Sequence, residues 1–133
     1  MKTTDEIMGK YWFFKPDPRL QNNLMAFGFE NGPGWNDLID ELCSKIEKLF
    51  NEKYKKQKKN FEVFQVKEKF GTLRFYVSSA PDEIFDLIDE YESLSSRTCE
   101  KCGEYGTLHT TNGWYLMTLC EPCFEKIENH KGE

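Results

Sequence analysis

The sequence predicts an α+β fold with a small cysteine-stapled module at its C-terminal end, and three observations carry that expectation. Apolar residues recur at helical spacing over Trp35 to Gln57 and again over Pro81 to Ser96. Between them, Phe61 to Ser78 alternates with a period of two. Beyond them stand two C-x-x-C pairs, Cys99-Glu-Lys-Cys102-Gly103 and Cys120-Glu-Pro-Cys123. Together these predict two amphipathic helices packed on a small antiparallel hairpin or sheet, followed by a metal-binding unit. The 133 residues suit a core domain over 1–97 and a module over 98–133 docked on it. A content of 38% hydrophobic and 15% aromatic residues is enough for a real core. No apolar run approaches the roughly 20 residues of a membrane span, so no membrane partner is expected.

The first helix carries Leu38, Ile39, Leu42, Cys43, Ile46, Leu49, Phe50 and Tyr54 on one stripe. Pro33-Gly34 marks the turn into it, Asn36 is the expected N-cap, Asp37 complements the positive helix end, and Trp35 is placed to pack back as a staple. Cys43 reads as a small buried hydrophobe. In the hairpin, Val63, Phe64 and Val66 precede a bend near Gly71, and Leu73, Phe75 and Val77 follow it. For the second helix, Ser79-Ala80-Pro81-Asp82 has the S-x-x-D capping pattern, and Ile84, Phe85, Leu87, Ile88, Tyr91 and Leu94 form the buried stripe. Only Arg97 and Thr98 then separate it from Cys99, which predicts a docked module rather than a tethered one.

Two residues between cysteines let both sulfurs of a pair turn onto one ion, and two pairs complete a tetrahedral shell. Cys99, Cys102, Cys120 and Cys123 are therefore the expected ligands of one structural Zn²⁺, the four protein ligands leaving no open position for a reacting water. Disulfides would need an oxidising compartment, and Met1-Lys-Thr-Thr-Asp-Glu has no apolar secretory region, so a cytoplasmic location with reduced thiols is expected. A thioredoxin-like motif calls for one C-x-x-C, not two. Gly103 permits the tight turn of a knuckle. Thr107 to Thr110 and Trp114 to Leu119 read as a hairpin about Asn112-Gly113, and Pro122 with Phe124-Glu-Lys-Ile127 opens a helix whose dipole favours thiolates at Cys120 and Cys123. Knuckle, hairpin and helix in that order correspond to a treble clef, whereas a zinc ribbon would have two knuckles and no helix. His109 is read as a hydrogen-bonding residue of the hairpin and His130 as part of a fraying tail. A water-activating site of three cysteines and a histidine would leave one cysteine idle.

Phe27-Gly-Phe29, Gly34-Trp35, the string Gln65-Val-Lys-Glu-Lys-Phe-Gly-Thr-Leu-Arg-Phe-Tyr76, Cys99-Glu-Lys-Cys102-Gly103, Gly113-Trp114 and Leu119-Cys120 together resemble a family of small uncharacterised proteins of bacteria and their phages. The resemblance spans roughly residues 27 to 124 and brings no activity with it. It implies a zinc-bearing α+β fold and a phage or mobile-element origin. Some members close the last pair with histidine, and cysteine at 123 keeps four ligands.

Charge is unevenly placed. Residues 1–44 hold four basic and seven acidic side chains, 45–74 ten and four, and 75–133 four and twelve, within a total of -5. Lys53, Lys55, Lys56, Lys58, Lys59, Lys67, Lys69 and Arg74 form a basic surface for nucleic acid on one reading and a solvated helix end and hairpin on the other. Net acidity works against non-specific nucleic-acid binding. Asp82, Glu83, Asp86, Asp89, Glu90 and Glu92 offer an acidic helix face for a protein partner, or simply a solvated one. Trp12 and Phe13, within Tyr11-Trp12-Phe13-Phe14, are candidates for an exposed aromatic docking patch, which a small core needing large side chains explains nearly as well. No catalytic motif or nucleophile pair is present. The expectation is a non-catalytic, zinc-stabilised binding protein, a phage-derived modulator or inhibitor of a host or defence complex (for example an anti-CRISPR-like role), its oligomeric state open. A nucleic-acid-binding module using residues 53–74 is the alternative, and a zinc-dependent hydrolase a weaker one.

Overall fold

A computed structural model of the chain describes residues 1–129, and His130 lies outside the described residues. The helices α1 (Thr4–Lys10), α2 (Asn36–Glu52), α3 (Asp82–Ser95) and α4 (Glu121–Asn129) alternate with strands β1 (Phe29–Glu30), β2 (Val63–Lys69), β3 (Thr72–Val77), β4 (Thr107–Thr111) and β5 (Tyr115–Leu119). The expected hairpin is β2–β3, paired antiparallel, and the short β1 adds to its other edge in parallel, with Phe29 opposite Val66. The fold is thus α+β, with α2 and α3 packed on a small sheet and a second hairpin, β4–β5, in the cysteine module.

The core lies between α2, α3 and the sheet. Trp35, Ile39, Leu42, Cys43, Ile46 and Phe50 meet Ile84, Ile88, Tyr91, Val63, Val66, Leu73 and Phe75, all buried. Phe85, expected in that stripe, is instead exposed, because the helical repeat that buries Ile84, Ile88 and Tyr91 turns position 85 outward. Three helix boundaries also differ from expectation. Helix α2 stops at Glu52 and a 3₁₀ turn, Lys55–Asn60, replaces its last residues; the lysine-rich run has no apolar stripe to pack. Asn36 opens α2 but caps nothing, its amide donating instead to the Lys2 carbonyl at 2.9 Å. The S-x-x-D pattern likewise does not cap α3, where extended Pro81 is the N-cap.

The aromatic run corrects a second expectation. It is an irregular segment rather than a strand, so its side chains are not forced to alternate between faces. Phe13 is fully buried, Tyr11 and Phe14 nearly so, and half-buried Trp12 lies edge-on against Phe50 at 5.5 Å. Trp12 and Phe13 are therefore core and core-edge residues, not a docking patch. Tyr11 also reaches across the core margin, donating its hydroxyl to Asp40 Oδ1 at 2.8 Å, where Lys2 and Lys10 converge at 2.9 and 3.4 Å. Burial pushes the Asp40 carboxyl up, but hydrogen bonds from Lys2, Tyr11 and Lys10 outweigh it and hold the group below the usual carboxylate range.

Strand β3 is an edge, and α3 closes it. Ser95 Oγ accepts the Leu73 N–H and Glu92 Oε2 accepts the Phe75 N–H, each at 2.8 Å, so two ladder donors that would face solvent are satisfied by side chains. At the other end of the hairpin, Phe70 and Gly71 form a two-residue turn with φ of 55° and 84°. Such turns demand a left-handed backbone at both positions, which glycine and asparagine adopt readily and phenylalanine only at an energetic cost.

Two predictions follow from these features. Phe70→Asn is expected to stabilise the protein by about 1 kcal/mol in denaturant unfolding, because the side chain that it removes is 67% exposed and contributes little packing. Asp40→Asn is expected to cost about 1 kcal/mol at pH 7. Since the folded carboxyl is depressed, its contribution is present above the ordinary carboxylate range and is lost as pH falls through the folded value. Unfolding curves of wild type and Asp40→Asn should therefore converge once the pH falls below the depressed folded value of Asp40.

Candidate metal centre

The module begins where α3 ends. Thr98 pairs with Tyr105, Gly103 turns the chain at φ 85°, and its N–H donates to the Cys99 carbonyl at 2.9 Å, which brings Cys99 and Cys102 onto one side of a tight knuckle. The β4–β5 hairpin follows, with Asn112-Gly113 at φ 53° and 82° as its turn. It returns the chain to Cys120, directly before α4, and Cys123 lies in the first turn of that helix. All four sulfurs come within 4.8 Å of one another, and Cys102 Sγ and Cys120 Sγ are 3.6 Å apart. The four cysteines can thus hold one metal ion. A second, small hydrophobic cluster of Cys99, Met117 and Leu119, with Phe124 and Ile127 against it, backs this shell.

The local field favours anionic sulfur at Cys99 and resists it at Cys102 and Cys123. Burial raises the Cys99 thiol, yet backbone N–H groups of Cys120, Cys102 and Lys101 overcome it and bring the group down to about 7. Burial and the sulfurs of Cys120, Cys102 and Cys99 push Cys123 up to about 12. At Cys102 the Glu104 N–H favours the thiolate, but desolvation and the sulfurs of Cys120 and Cys99 together raise the thiol. Four sulfurs so close cannot all be anionic without a cation between them, and a divalent metal supplies that charge.

His109 is not part of the cluster. Its ring stacks on Phe124 at 4.1 Å, and Nε2 lies 3.6 Å from Glu121 Oε1, which ties β4 to α4. Cys43 is equally remote from it, buried in the main core where desolvation pushes its thiol well up.

The feature that sequence reasoning missed is how tightly the knuckle is pressed onto the core. Gly34 N–H donates to the Glu100 carbonyl at 2.7 Å, Gly32 N–H to Glu100 Oε2 at 2.8 Å, and buried Trp35 Nε1–H to the Thr98 carbonyl at 2.8 Å. From the other side, Thr118 Oγ1 donates to the Gly71 carbonyl at 2.6 Å. A Cβ on Gly34 would stand 2.7 Å from both the Glu100 carbonyl carbon and the Gly103 nitrogen, so only glycine permits this approach. The signal was present in Gly32-Pro33-Gly34-Trp35, where two glycines around a proline serve a close contact as well as a turn.

The basic residues are not brought together. Lys53 pairs with Glu83 at 3.2 Å and Lys58 sits over the Trp12 ring, while Lys55, Lys56 and Lys59 are on the 3₁₀ turn. Lys67, Lys69 and Arg74 lie at the far end of β2–β3, about 20 Å away at the usual strand rise. Of the acidic set, Asp82, Asp86, Asp89 and Glu90 are exposed on α3. Glu83 accepts from Lys53 and Tyr54, and Glu92 from the Phe75 N–H, so those two act within the fold. No helix among the described residues is long and apolar enough to cross a membrane.

Fold and site together define a small α+β protein that carries a four-cysteine cluster able to hold one metal ion. Comparison of the chain with protein-family models, curated proteins and solved structures finds no match.

The docking geometry makes a direct prediction. Gly34→Ala is expected to lower stability by about 3 kcal/mol, with earlier thermal unfolding and faster thiol labelling of the module. Gly9→Ala in α1, where an added Cβ meets nothing within 4 Å, should leave both readouts at the wild-type level or slightly better.

Proposed function

We propose that this chain is a non-catalytic binding protein whose C-terminal module is a treble clef stapled by one structural zinc on Cys99, Cys102, Cys120 and Cys123. The donor set supports zinc. A Zn–S bond of about 2.3 Å in a regular tetrahedron separates sulfurs by about 3.8 Å. The Cys102–Cys120 pair at 3.6 Å, and the four sulfurs within 4.8 Å, need little adjustment to reach it. The single observation that carries the non-catalytic reading is the closed shell: four protein sulfurs leave no coordination position for water or substrate.

A protein is the partner this surface suits best. Phe70, Tyr105, Leu108 and Trp114, between 56% and 77% exposed, all belong to the module or to the turn docked beside it. Aromatic side chains of that kind supply most interface energy. A nucleic-acid reading is served less well. Lys67 is in register with Glu30 on one side and Arg74 on the other, and Arg74 acts electrostatically on Glu92, so carboxylates already attend the basic ladder. The resemblance to small bacterial and phage proteins makes a component of a host or defence complex the class of protein to look for.

The test begins with the purified, zinc-loaded chain, for which one zinc per chain is expected. Chelation should unfold the module, because metal-binding and folding free energies are coupled. A hydrolase with an opened site would instead stay folded on metal removal and lose a measurable activity. Affinity capture from a host lysate, with and without nuclease, then separates the partner classes. A stoichiometric protein that survives nuclease and is unaffected by joint substitution of Lys55, Lys56, Lys58, Lys59 and Arg74 is expected. Recovery of nucleic acid alone would overturn the reading.

A further inference from the structure

We propose that the cleft between residues 29–32, the knuckle and the β4–β5 hairpin binds a guanidinium on an alkyl stem, the arginine side chain of a protein partner. The proposal rests on the protein-partner reading above and specifies how that partner is gripped. The cleft has a volume of about 510 Å³ and carries three carboxylates, Glu30, Glu68 and Glu100, against one cation, Lys101. Glu100 is only 6% exposed. Its Oε2 accepts the Gly32 N–H, but its Oε1 is buried with no hydrogen-bond partner, and the same holds for Asn31 Oδ1. Among the described residues only three buried side-chain polar atoms lack a partner, and two of them belong to Glu100 and Asn31, which line this cleft. Leaving a buried acceptor unsatisfied costs about 1–3 kcal/mol, so such atoms are rare unless something else meets them.

What the cleft lacks is a donor to those two acceptors. The other carboxylates are already engaged: Glu68 Oε1 and Oε2 accept from the Tyr115 hydroxyl at 3.1 Å and the Gly71 N–H at 2.7 Å, and Glu30 Oε1 accepts from Gln65 at 3.0 Å. A ligand complementary to this arrangement brings positive charge and several N–H groups, and no acceptor of its own. Guanidinium offers five donors in a planar fork, able to serve acceptors on two different residues, where ammonium is a point charge. The apolar side chains of Phe29, Met117 and Ile127 line the same cleft and suit the methylene stem. A divalent metal suits the cleft poorly, because it needs six or more oxygens and those of Glu68 are already bound to donors.

The test is a titration of the ¹⁵N-labelled, zinc-loaded full chain with N-acetyl-L-arginine amide, followed by NMR. Saturable shifts confined to the amides of Asn31, Gly32 and Tyr115 and their neighbours are expected. The uncharged citrulline analogue should bind about tenfold more weakly. In Glu100→Gln the amide carbonyl keeps the Gly32 bond while the negative charge and one acceptor are lost. That variant should stay folded and lose about tenfold in arginine-amide affinity. Asn31→Ala, which removes the second acceptor without touching the knuckle, should weaken binding severalfold and serves if Glu100→Gln does not fold. Equal binding of the citrulline analogue, unchanged affinity in the variants, shifts spread over α3, or shifts at the same amides with Ca²⁺ and none with arginine amide would each overturn the proposal. Arginine-amide binding with no nuclease-resistant partner from lysate would keep the cleft and remove the protein-partner reading. A captured partner with no arginine-amide binding would do the reverse.

Discussion

Everything in the C-terminal third of this molecule depends on the contact between the Gly32-Pro33-Gly34 backbone and the knuckle that follows Cys99. Cys99, Glu100 and Gly103 approach Gly34 so closely that there is no room for a Cβ, and the hydrogen bonds of Gly32, Gly34 and Trp35 are made to that same stretch. Trp35 is also a central residue of the main core. One short turn therefore carries both the entry into α2 and the seat of the metal-binding module, and the position of the four sulfurs is fixed to the core rather than to the module alone.

The module by itself has little to hold it. Its hydrophobic cluster has three fully developed members, against nineteen in the main core, and its helix α4 buries no residue completely. A unit of this size ordinarily needs a metal or disulfides to compensate for so small an apolar interior. Four sulfurs gathered at the meeting point of knuckle, hairpin and helix can serve that need by holding a metal ion, and His109 stacks on Phe124 beside them.

Much of this was legible in the residues. The spacing of Cys99, Cys102, Cys120 and Cys123, the Asn112-Gly113 turn, the stripe of α2 and the alternation of β2–β3 each reflect a local rule that tertiary context left intact. What was not legible came from contacts between distant segments. The two-residue strand β1 has no pattern of its own and exists because β2 offers it an edge. Helix α1 is seven residues long and is announced only by Thr3, whose hydroxyl accepts the Glu6 N–H. The aromatic run reads as a surface feature if it is taken for a strand, and becomes core once the chain there is irregular. Nothing in the residues singles out Glu100, whose burial under Gly32 is invisible without the fold.

The seating of the knuckle on Gly34 makes the affinity of the four sulfurs for metal a thermometer of the whole domain. Ligand pre-organisation is set by backbone that the core holds in place, so a substitution far from the cysteines that loosens α2 or the sheet must also raise the apparent dissociation constant for the ion, by thermodynamic linkage. Conversely, a metal ion held by the four sulfurs would tighten segments that share no side chain with it. Competition with a chromophoric chelator would then rank core variants by stability without any denaturant, one equilibrium standing in for the other.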